Sequence, residues 1–355
     1  KNVVVPSPSY GQFGSDSSRN GASVRYVDLD ENHRVDLEAM ANQIDDYTTA
    51  VCITNPNNPT ATVVNPGDLI DFITLLPDHV VTIIDEAYYD YIGDYQSAVD
   101  YVRQGYDVVV VKTFSKVYGL AGARIGYAVG PSDRIGSMNP LRMFAMIPRM
   151  SLEAARAAVY DYQHVADSVE LANQTKEYCF SEFNSMDLEY IPSMASFFMV
   201  DVGTNADPVR SALASRGILV RTGWGMSHHL RVSTGTMDEM IDFIAALDEI
   251  LTPLRAGEDL PKPTMTELYQ AYPNPFNSST QLRIHIPRIS QTKLEIFDIQ
   301  GRLVKTLVDR NLGAGEYSFR WNGINHSGQA VSSGSYFYRL ISGEDTITRR
   351  MMLLK

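Results

Sequence analysis

A lysine set among hydroxyl and glycine residues is the first chemically suggestive feature of this chain. Lys116 lies in Thr113-Phe-Ser-Lys-Val-Tyr-Gly-Leu-Ala-Gly-Ala-Arg-Ile-Gly126, directly after the β-branched run Val108–Val111. A lysine amine can condense reversibly with an aldehyde and, once released, can carry a proton. Taken alone, a lysine in such a place reads as a solvated loop residue. Three other features change that reading. Asn55-Pro-Asn-Asn-Pro-Thr60 directly follows the apolar run at Val51, and Asp85-Glu-Ala-Tyr88 directly follows the one at Val80. Arg124 stands beyond the glycines that follow Lys116. An amide, a carboxylate, a phenol and a guanidinium therefore all fall just past strand-like runs, where open α/β sheets bind their ligands.

The elements that must position these groups are legible from their texture. Val3–Val5, Ala50–Thr54, Val80–Ile84 and Val108–Val111 are strand-length apolar runs, separated by helical stretches such as Asp36–Ile44 and Asn65–Leu76. That alternation predicts a parallel sheet wrapped by helices over residues 1–150. Residues 151–252 predict a smaller α+β unit. It has one long helix over Ser151–Met186, strands at Phe197–Val202, Ile218–Arg221 and His229–Ser233, a helix over Pro208–Arg216 stopped by Gly217, and a closing helix over Met237–Leu251. Residues 253–267 hold three prolines and read as a linker. From 268 to 355 the helical period vanishes. Short runs at Gln281–Ile286, Lys293–Ile299, Leu303–Val308, Tyr317–Trp321, Ser335–Ile341 and Ile347–Leu354, divided by glycine turns, predict a β-sandwich.

Composition narrows the class. The 355 residues exceed what one ordinary core needs, and a net charge of −12 argues against a nucleic-acid partner. The charge is uneven: residues 268–355 hold 11 Lys+Arg and 6 Asp+Glu, a net of +5, leaving −17 for the rest. Two cysteines exclude a disulfide framework, and no apolar run is long enough to span a bilayer. Several conspicuous residues read as structural. His228 and His229 are adjacent on a strand and point to opposite faces, so no metal is expected there. Cys52 reads as core, Asp45-Asp46 as a solvated helix end, and Met143–Met146 as core or dimer contact.

Together the four motifs, in this order over roughly residues 1–252, resemble the class I/II aminotransferases, pyridoxal-phosphate enzymes of fold type I, and within them the histidinol-phosphate aminotransferase-like group. The resemblance implies an α/β fold: a large domain with a parallel-rich sheet and a small α+β domain. It implies pyridoxal 5'-phosphate as cofactor, held covalently by Lys116. Asp85 matches the carboxylate beside the ring nitrogen, and Tyr88 and Asn58 match the donors to the phenolic oxygen. Arg124, Ser115 and Thr113 match the phosphate ligands, and Tyr10 matches the aromatic residue that stacks on the ring. Arg231, in His229-Leu-Arg-Val-Ser-Thr-Gly-Thr236, matches the arginine that binds the substrate α-carboxylate. Arg221 matches a second arginine of the substrate site, and Asn58 also faces substrate. Catalysis is expected from Lys116, Asp85 and Tyr88. Two departures stand out. Ala61 replaces the glycine usual after the Asn-Pro-Thr turn, and Ser196 stands where an asparagine is usual. The family also carries a segment ahead of the position of Lys1. Its phosphate-binding loop and its residues for the partner subunit are expected to be missing here, leaving weaker cofactor binding or an open sheet edge.

Residues 268–355 carry Tyr272-Pro-Asn-Pro-Phe-Asn277, Ile296-Phe-Asp-Ile-Gln-Gly-Arg-Leu-Val304, Trp321-Asn-Gly323 and the ending Arg349-Arg-Met-Met-Leu-Leu-Lys355. This is similar to the immunoglobulin-like C-terminal sorting domains of the type IX secretion system (Por domains), relatives of the hook-capping immunoglobulin-like domain. That likeness implies a partner in the secretion machinery and a secreted or cell-surface location; a cytoplasmic location is the alternative. The expected activity is transfer of an α-amino group between an amino acid, histidinol-phosphate-like or aromatic, and a 2-oxo acid, by a homodimer. A decarboxylase or carbon–sulfur lyase on the same scaffold is the second reading. A non-catalytic secreted binding protein is the third.

Overall fold

A computed structural model describes residues 1–141, 147–255 and 265–354. Met143–Met146 thus lies outside the described residues.

The first half alternates strand and helix: β1 (Asn2–Ser7), α1 (Gln12–Arg19), β2 (Ser23–Asp28), α2 (Leu37–Ala41), β3 (Thr48–Thr54), α3 (Pro66–Leu75), β4 (Val81–Asp85), α4 (Val99–Arg103), β5 (Val108–Thr113) and β6 (Gly126–Val129), followed by α5 (Ser132–Met138). They build one sheet in the order β2-β1-β3-β4-β5-β6, parallel except for β6, which runs antiparallel to β5. Val4, Val51, Ile53, Ile84, Val108 and Val110 are fully buried under the flanking helices, as a doubly covered parallel sheet requires. The chain leaves β1 toward β2 on one side and continues from β3 on the other. The carboxyl ends of β1 and β3 therefore frame the crevice where the direction reverses, the expected ligand position in such a sheet.

Helix starts follow local chemistry. Asp36 accepts from the Ala39 amide at α2, and Asn65 accepts from the Gly67 amide at α3, with Pro66 in the first turn. One helix was expected over Ser151–Met186; two form, α6 (Arg149–Ala158) and α7 (Tyr162–Ser185). The break lies at Asp161, whose carboxylate caps the His164 amide and so starts a new helix. The Asp45 expectation also needs correcting. Its carboxylate accepts from Asn2, Thr48, the Tyr47 amide and Arg25. The Asn2 bond leads the causes that hold its carboxyl well below the usual range. It ties the starts of β1, β2 and β3 together rather than ending a helix in water.

A second sheet has the order β7-β8-β10-β9, with all pairs antiparallel: β7 (Tyr190–Ile191), β8 (Phe197–Asp201), then, after α8 (Ala206–Ala214), β9 (Arg221–Gly223) and β10 (Met226–Ser233). The strand expected over Ile218–Arg221 forms later, because Gly217 at φ +83° ends the preceding turn and only Arg221 reaches register with Arg231. Helix α9 (Met237–Arg255) opens on a reciprocal pair, Thr236 with Glu239. It continues through Pro253, where a linker was expected. A proline in the last turn removes only one backbone bond.

The chain divides into two compact units, residues 1–206 with 220–245, and residues 207–219 with 246–355. In the second, β11 (Glu267–Leu268), β12 (Thr280–Ile286) and β15 (Gly315–Trp321) form one antiparallel sheet. The other antiparallel sheet joins β14 (Leu303–Leu312), β13 (Ser290–Phe297), β16 (Gly334–Ser342) and β17 (Asp345–Leu353) in that order. Its core centres on Trp321, 1% exposed, with Phe276 and Tyr336 at ring distances of 5.5 and 5.1 Å. The same unit joins α8 to the strands: Glu267 accepts from Arg210 and Ser211, Asp207 from Arg283, and both arginines lie against the Tyr269 ring.

Candidate active site

The expected site residues stand at the carboxyl ends of the parallel strands. Tyr10 follows β1, Asn58 follows β3, Asp85 ends β4, and Thr113 ends β5, with Ser115 and Lys116 next along the chain. Lys116 is exposed, and its Nζ lies 4.9 Å from the centroid of the Tyr88 ring. Tyr88 is buried. Its hydroxyl receives a long contact, 3.5 Å, from Nη2 of Arg231, and its ring meets Phe197 edge-on at 4.9 Å. Arg231 is itself buried, with its guanidinium 3.8 Å from the Phe197 ring centroid. Burial pulls the Arg231 guanidinium below its ordinary value; Tyr88 opposes this and Arg221 adds to it. Arg221 pairs with Arg231 across β9 and β10, is exposed, and lies 5.1 Å from the Trp224 ring.

Burial pushes the Asp85 carboxyl up to about 6. The Ala87 amide, donating at 3.0 Å, and Lys116 pull the other way, and Glu86 adds to the rise. Tyr10 belongs to the same electrostatic neighbourhood. Burial raises its phenol first, then Asp85, Asp16 and Tyr88, while Arg124 opposes. Nearly half of Tyr10 is exposed, and its ring meets Phe13 edge-on at 6.1 Å. Arg124 is exposed, adopts φ +52°, and donates to the Ala121 carbonyl at 2.9 Å. The Thr113 hydroxyl accepts from the Ser115 amide at 3.0 Å, which shapes the turn before Lys116. Gly126 is required here: a Cβ would stand 2.7 Å from the Lys112 carbonyl oxygen.

Among the described residues, two buried polar atoms of this region have no hydrogen-bond partner, Oδ1 of Asn58 and Nε of Arg231. Buried polar groups are normally satisfied, so both read as groups kept for a ligand. The contacts join Lys116, Tyr88 and Arg231, and electrostatics links Asp85, Lys116, Tyr10 and Arg124. Among the described residues, no hydrogen bond, ion pair or ring contact joins Asn58 or Arg221 to Lys116, whose ring contact is with Tyr88.

Sequence reasoning missed the support beneath these groups. Asn57 is fully buried. It donates to the Pro8 carbonyl and to Thr60, and accepts from Ser9. Thr60 meets Thr62, which donates to the His33 carbonyl. The loop after β3 is therefore braced by its own hydrogen bonds. Ala61 keeps φ +59°, the conformation a glycine would take at no cost, while its methyl is fully buried beside Tyr88 and Phe197. The loop has not relaxed away; the alanine is held in it. Ser196 bonds Tyr91. Glu86, one residue past Asp85, is buried and paired with Lys112. The acidic dipeptide Asp85-Glu86 was the only sequence signal for that pair.

Residues 1–247 match the family described as aminotransferase class I and II. The chain is 38% identical over 254 residues to the histidinol-phosphate aminotransferase of Moorella thermoacetica, which aligns 70% of this chain with 66% of that protein. It is 37% identical over 256 residues to the one from a Geobacillus strain, aligning 70% of this chain with 69% of that protein. The chain thus spans about two thirds of the length of these relatives. The solved histidinol-phosphate aminotransferase of Sinorhizobium meliloti, in complex with pyridoxal-5'-phosphate, superposes with a TM-score of 0.66 at 26% identity, covering 71% of each chain. Residues 276–343 match the FlgD Ig-like domain. That match bears out the broader expectation of an immunoglobulin-like module; the narrower one, a type IX sorting domain, goes beyond it.

The residues present fit pyridoxal phosphate. A carboxylate raised by burial suits a protonated ring nitrogen, and Arg124 with the hydroxyls of Thr113 and Ser115 suits a phosphate. The Asn58 amide suits a phenolic oxygen through its Nδ2 donor, while its unpartnered Oδ1 calls for a donor from the ligand, and the Lys116 amine suits an aldehyde.

Proposed function

Because the chain belongs to the class I and II aminotransferases, we propose that it transfers an α-amino group between an amino acid and a 2-oxo acid with pyridoxal phosphate. The observation that carries this reading is the buried Arg231, with an unpartnered Nε, joined through Tyr88 to the Lys116 amine. An arginine stripped of water and lacking a carboxylate partner costs stability unless a ligand supplies one. A substrate carboxylate does so through two parallel hydrogen bonds. Arg231 then holds the substrate on the side of Tyr88 where Lys116 can reach its Cα proton.

Bound pyridoxal phosphate supplies the electron sink for the reaction. Residues of this chain would hold it: Asp85 would keep the ring nitrogen protonated, and Tyr88 and the Nδ2 of Asn58 would donate to the phenolic oxygen. Arg124, Ser115 and Thr113 would hold the phosphate, and Tyr10 would pack on the ring. Lys116 Nζ would take and return the proton at the substrate carbon. Arg221 adds positive potential at the substrate side. The names of the relatives support a histidinol-phosphate-like amino donor.

The full chain is tested with pyridoxal phosphate, histidinol phosphate or an aromatic amino acid, and 2-oxoglutarate. The expected result is a new amino acid, lost in Lys116→Ala together with the visible absorbance of bound cofactor. Release of carbon dioxide or a thiol without a new amino acid overturns the reading in favour of decarboxylase or lyase chemistry. Absence of any cofactor absorbance overturns it in favour of a binding protein.

Two further parts of the reading concern assembly and location. A homodimer is supported by exposed apolar residues gathered between 138 and 162, among them Met138, Leu141, Met150, Leu152 and Tyr160. Light scattering that returns a monomer mass overturns it. Export through the C-terminal module is supported by its excess of basic residues and by its immunoglobulin-like match. Recovery of the full-length gene product from the cytoplasm alone overturns that.

A further inference from the structure

We propose that the buried Glu86–Lys112 ion pair is a positioning device for Asp85, fixing where its carboxylate points and how firmly it holds a proton. The purpose rests on the aminotransferase reading; the test does not.

The geometry is specific. Asp85 ends β4 opposite Val111, and Lys112, the next residue along β5, points to the other face of the sheet, where Glu86 meets it. On the far face Glu86, 2% exposed, accepts from Lys112 Nζ at 2.9 Å, from the Ser97 hydroxyl at 2.7 Å and from the Ala98 amide at 2.6 Å. Lys112 is in β5, the strand that leads to Thr113, Ser115 and Lys116. The Glu86 amide donates to the Val111 carbonyl at 2.9 Å, and Val111 stands opposite Asp85. The pair therefore clamps the end of the strand bearing Asp85 to the strand leading to Lys116.

The surroundings make the clamp rigid. Lys112 Nζ lies 3.9 Å from the Tyr89 ring centroid, and the Tyr89 hydroxyl donates to the Tyr95 carbonyl. The Tyr95 hydroxyl donates to the Val64 carbonyl and accepts from Asn55, the first residue of the loop that carries Asn58. One chain of contacts thus joins the ends of β3, β4 and β5.

Stability alone does not explain two charges here. A buried ion pair is often no better than apolar residues of the same volume. A fixed negative charge one residue from Asp85 has a different effect: it makes that carboxylate more basic, and a more basic carboxylate holds the proton of a ring nitrogen more firmly. Lys112 tempers the effect. Lys116 and Tyr10 share the electrostatic neighbourhood of Asp85, and Glu86 acts on it from the other side of the strand. Those facing the pair include Tyr89, Asp90, Tyr95 and Tyr101.

The test is a carboxyl-carbon NMR titration of Asp85 in the cofactor-free full chain. Glu86→Gln keeps the shape and removes the charge; the Asp85 midpoint is expected to fall by roughly half a unit or more. Lys112→Gln leaves Glu86 unpaired, and the midpoint is expected to rise by a similar amount. Lys112→Arg keeps the charge and is expected to stay within about 0.3 unit of wild type. Ser97→Ala strips one hydrogen bond from Glu86 at little risk to folding and is expected to move the midpoint upward. Shifts in the same direction for Glu86→Gln and Lys112→Gln, or none, overturn the proposal, as does a downward shift in Ser97→Ala. Failure of the aminotransferase reading leaves this titration unchanged, so the two failures are distinguishable.

Discussion

The guanidinium of Arg231 lies 3.5 Å from the Tyr88 hydroxyl and 3.8 Å from the Phe197 ring centroid, with its Nε buried and unpartnered. A strand of the second sheet thereby delivers a cation to a phenol that sits beside Lys116. The relation is unsatisfied in the free protein, and it sets the first prediction.

Arg231→Leu should raise the KM for the amino donor far more than it lowers kcat. Loss of a bidentate carboxylate contact is worth about 2–4 kcal/mol, or roughly 30- to 1000-fold in kcat/KM. The free protein should not lose stability in proportion, because an incompletely paired buried charge is removed. Steady-state kinetics and urea unfolding of the same variant measure both.

Asp85 should destabilise the cofactor-free fold at neutral pH. Its folded value, raised to about 6, exceeds the unfolded value near 3.9. The carboxyl's contribution is therefore fully present below about pH 4 and is lost as pH rises through 6. Asp85→Asn should stabilise the cofactor-free protein above pH 6 by about 1–3 kcal/mol, and the gain should vanish below pH 4. Urea midpoints across that window test the sign. In the same variant transamination should fall at least about a hundredfold.

Ala61 should tolerate glycine and refuse valine. Relief of left-handed strain, about 1 kcal/mol, offsets the loss of a buried methyl of similar worth, so Ala61→Gly should move unfolding by less than about 1 kcal/mol. Ala61→Val adds a β-branched side chain at φ +59° in a fully buried position. It should cost about 3 kcal/mol or more. Chemical denaturation of both variants checks this.

Tyr269 should anchor the second unit. Arg210 and Arg283 lie 5.5 and 5.0 Å from its ring centroid, and its hydroxyl donates to Glu316 at 3.1 Å. Tyr269→Ala should cost that unit about 3 kcal/mol, and Tyr269→Phe about 1. Calorimetry that follows the second unit's transition resolves the two.

The strands β1, β3, β4 and β5 were readable because parallel strands buried on both faces are written as continuous β-branched runs. The edge strand β2 was not, since Ser23-Val-Arg-Tyr-Val-Asp28 mixes polar and apolar residues as a half-exposed edge does. Lys116, Asp85 and Arg231 were readable because each sits in a local motif tied to a strand end. The hub at Asn57, the left-handed Ala61 and the Glu86–Lys112 pair were not. Each depends on a contact between segments distant in sequence or on a backbone angle, and residue identity alone encodes neither. The contacts of α8 with Glu267 and Arg283 were hidden for the same reason.

The unpartnered Asn58 oxygen and Arg231 nitrogen make the binding site an unfinished part of the fold. Any molecule that completes them binds the native chain and not the unfolded one, so its affinity is written directly into the melting temperature. Raising the cofactor or a candidate amino acid to a hundred times its dissociation constant should add about 2.7 kcal/mol. The molecule can therefore report its own substrate: a panel of amino acids ranked by thermal shift would sort donors before any product is measured.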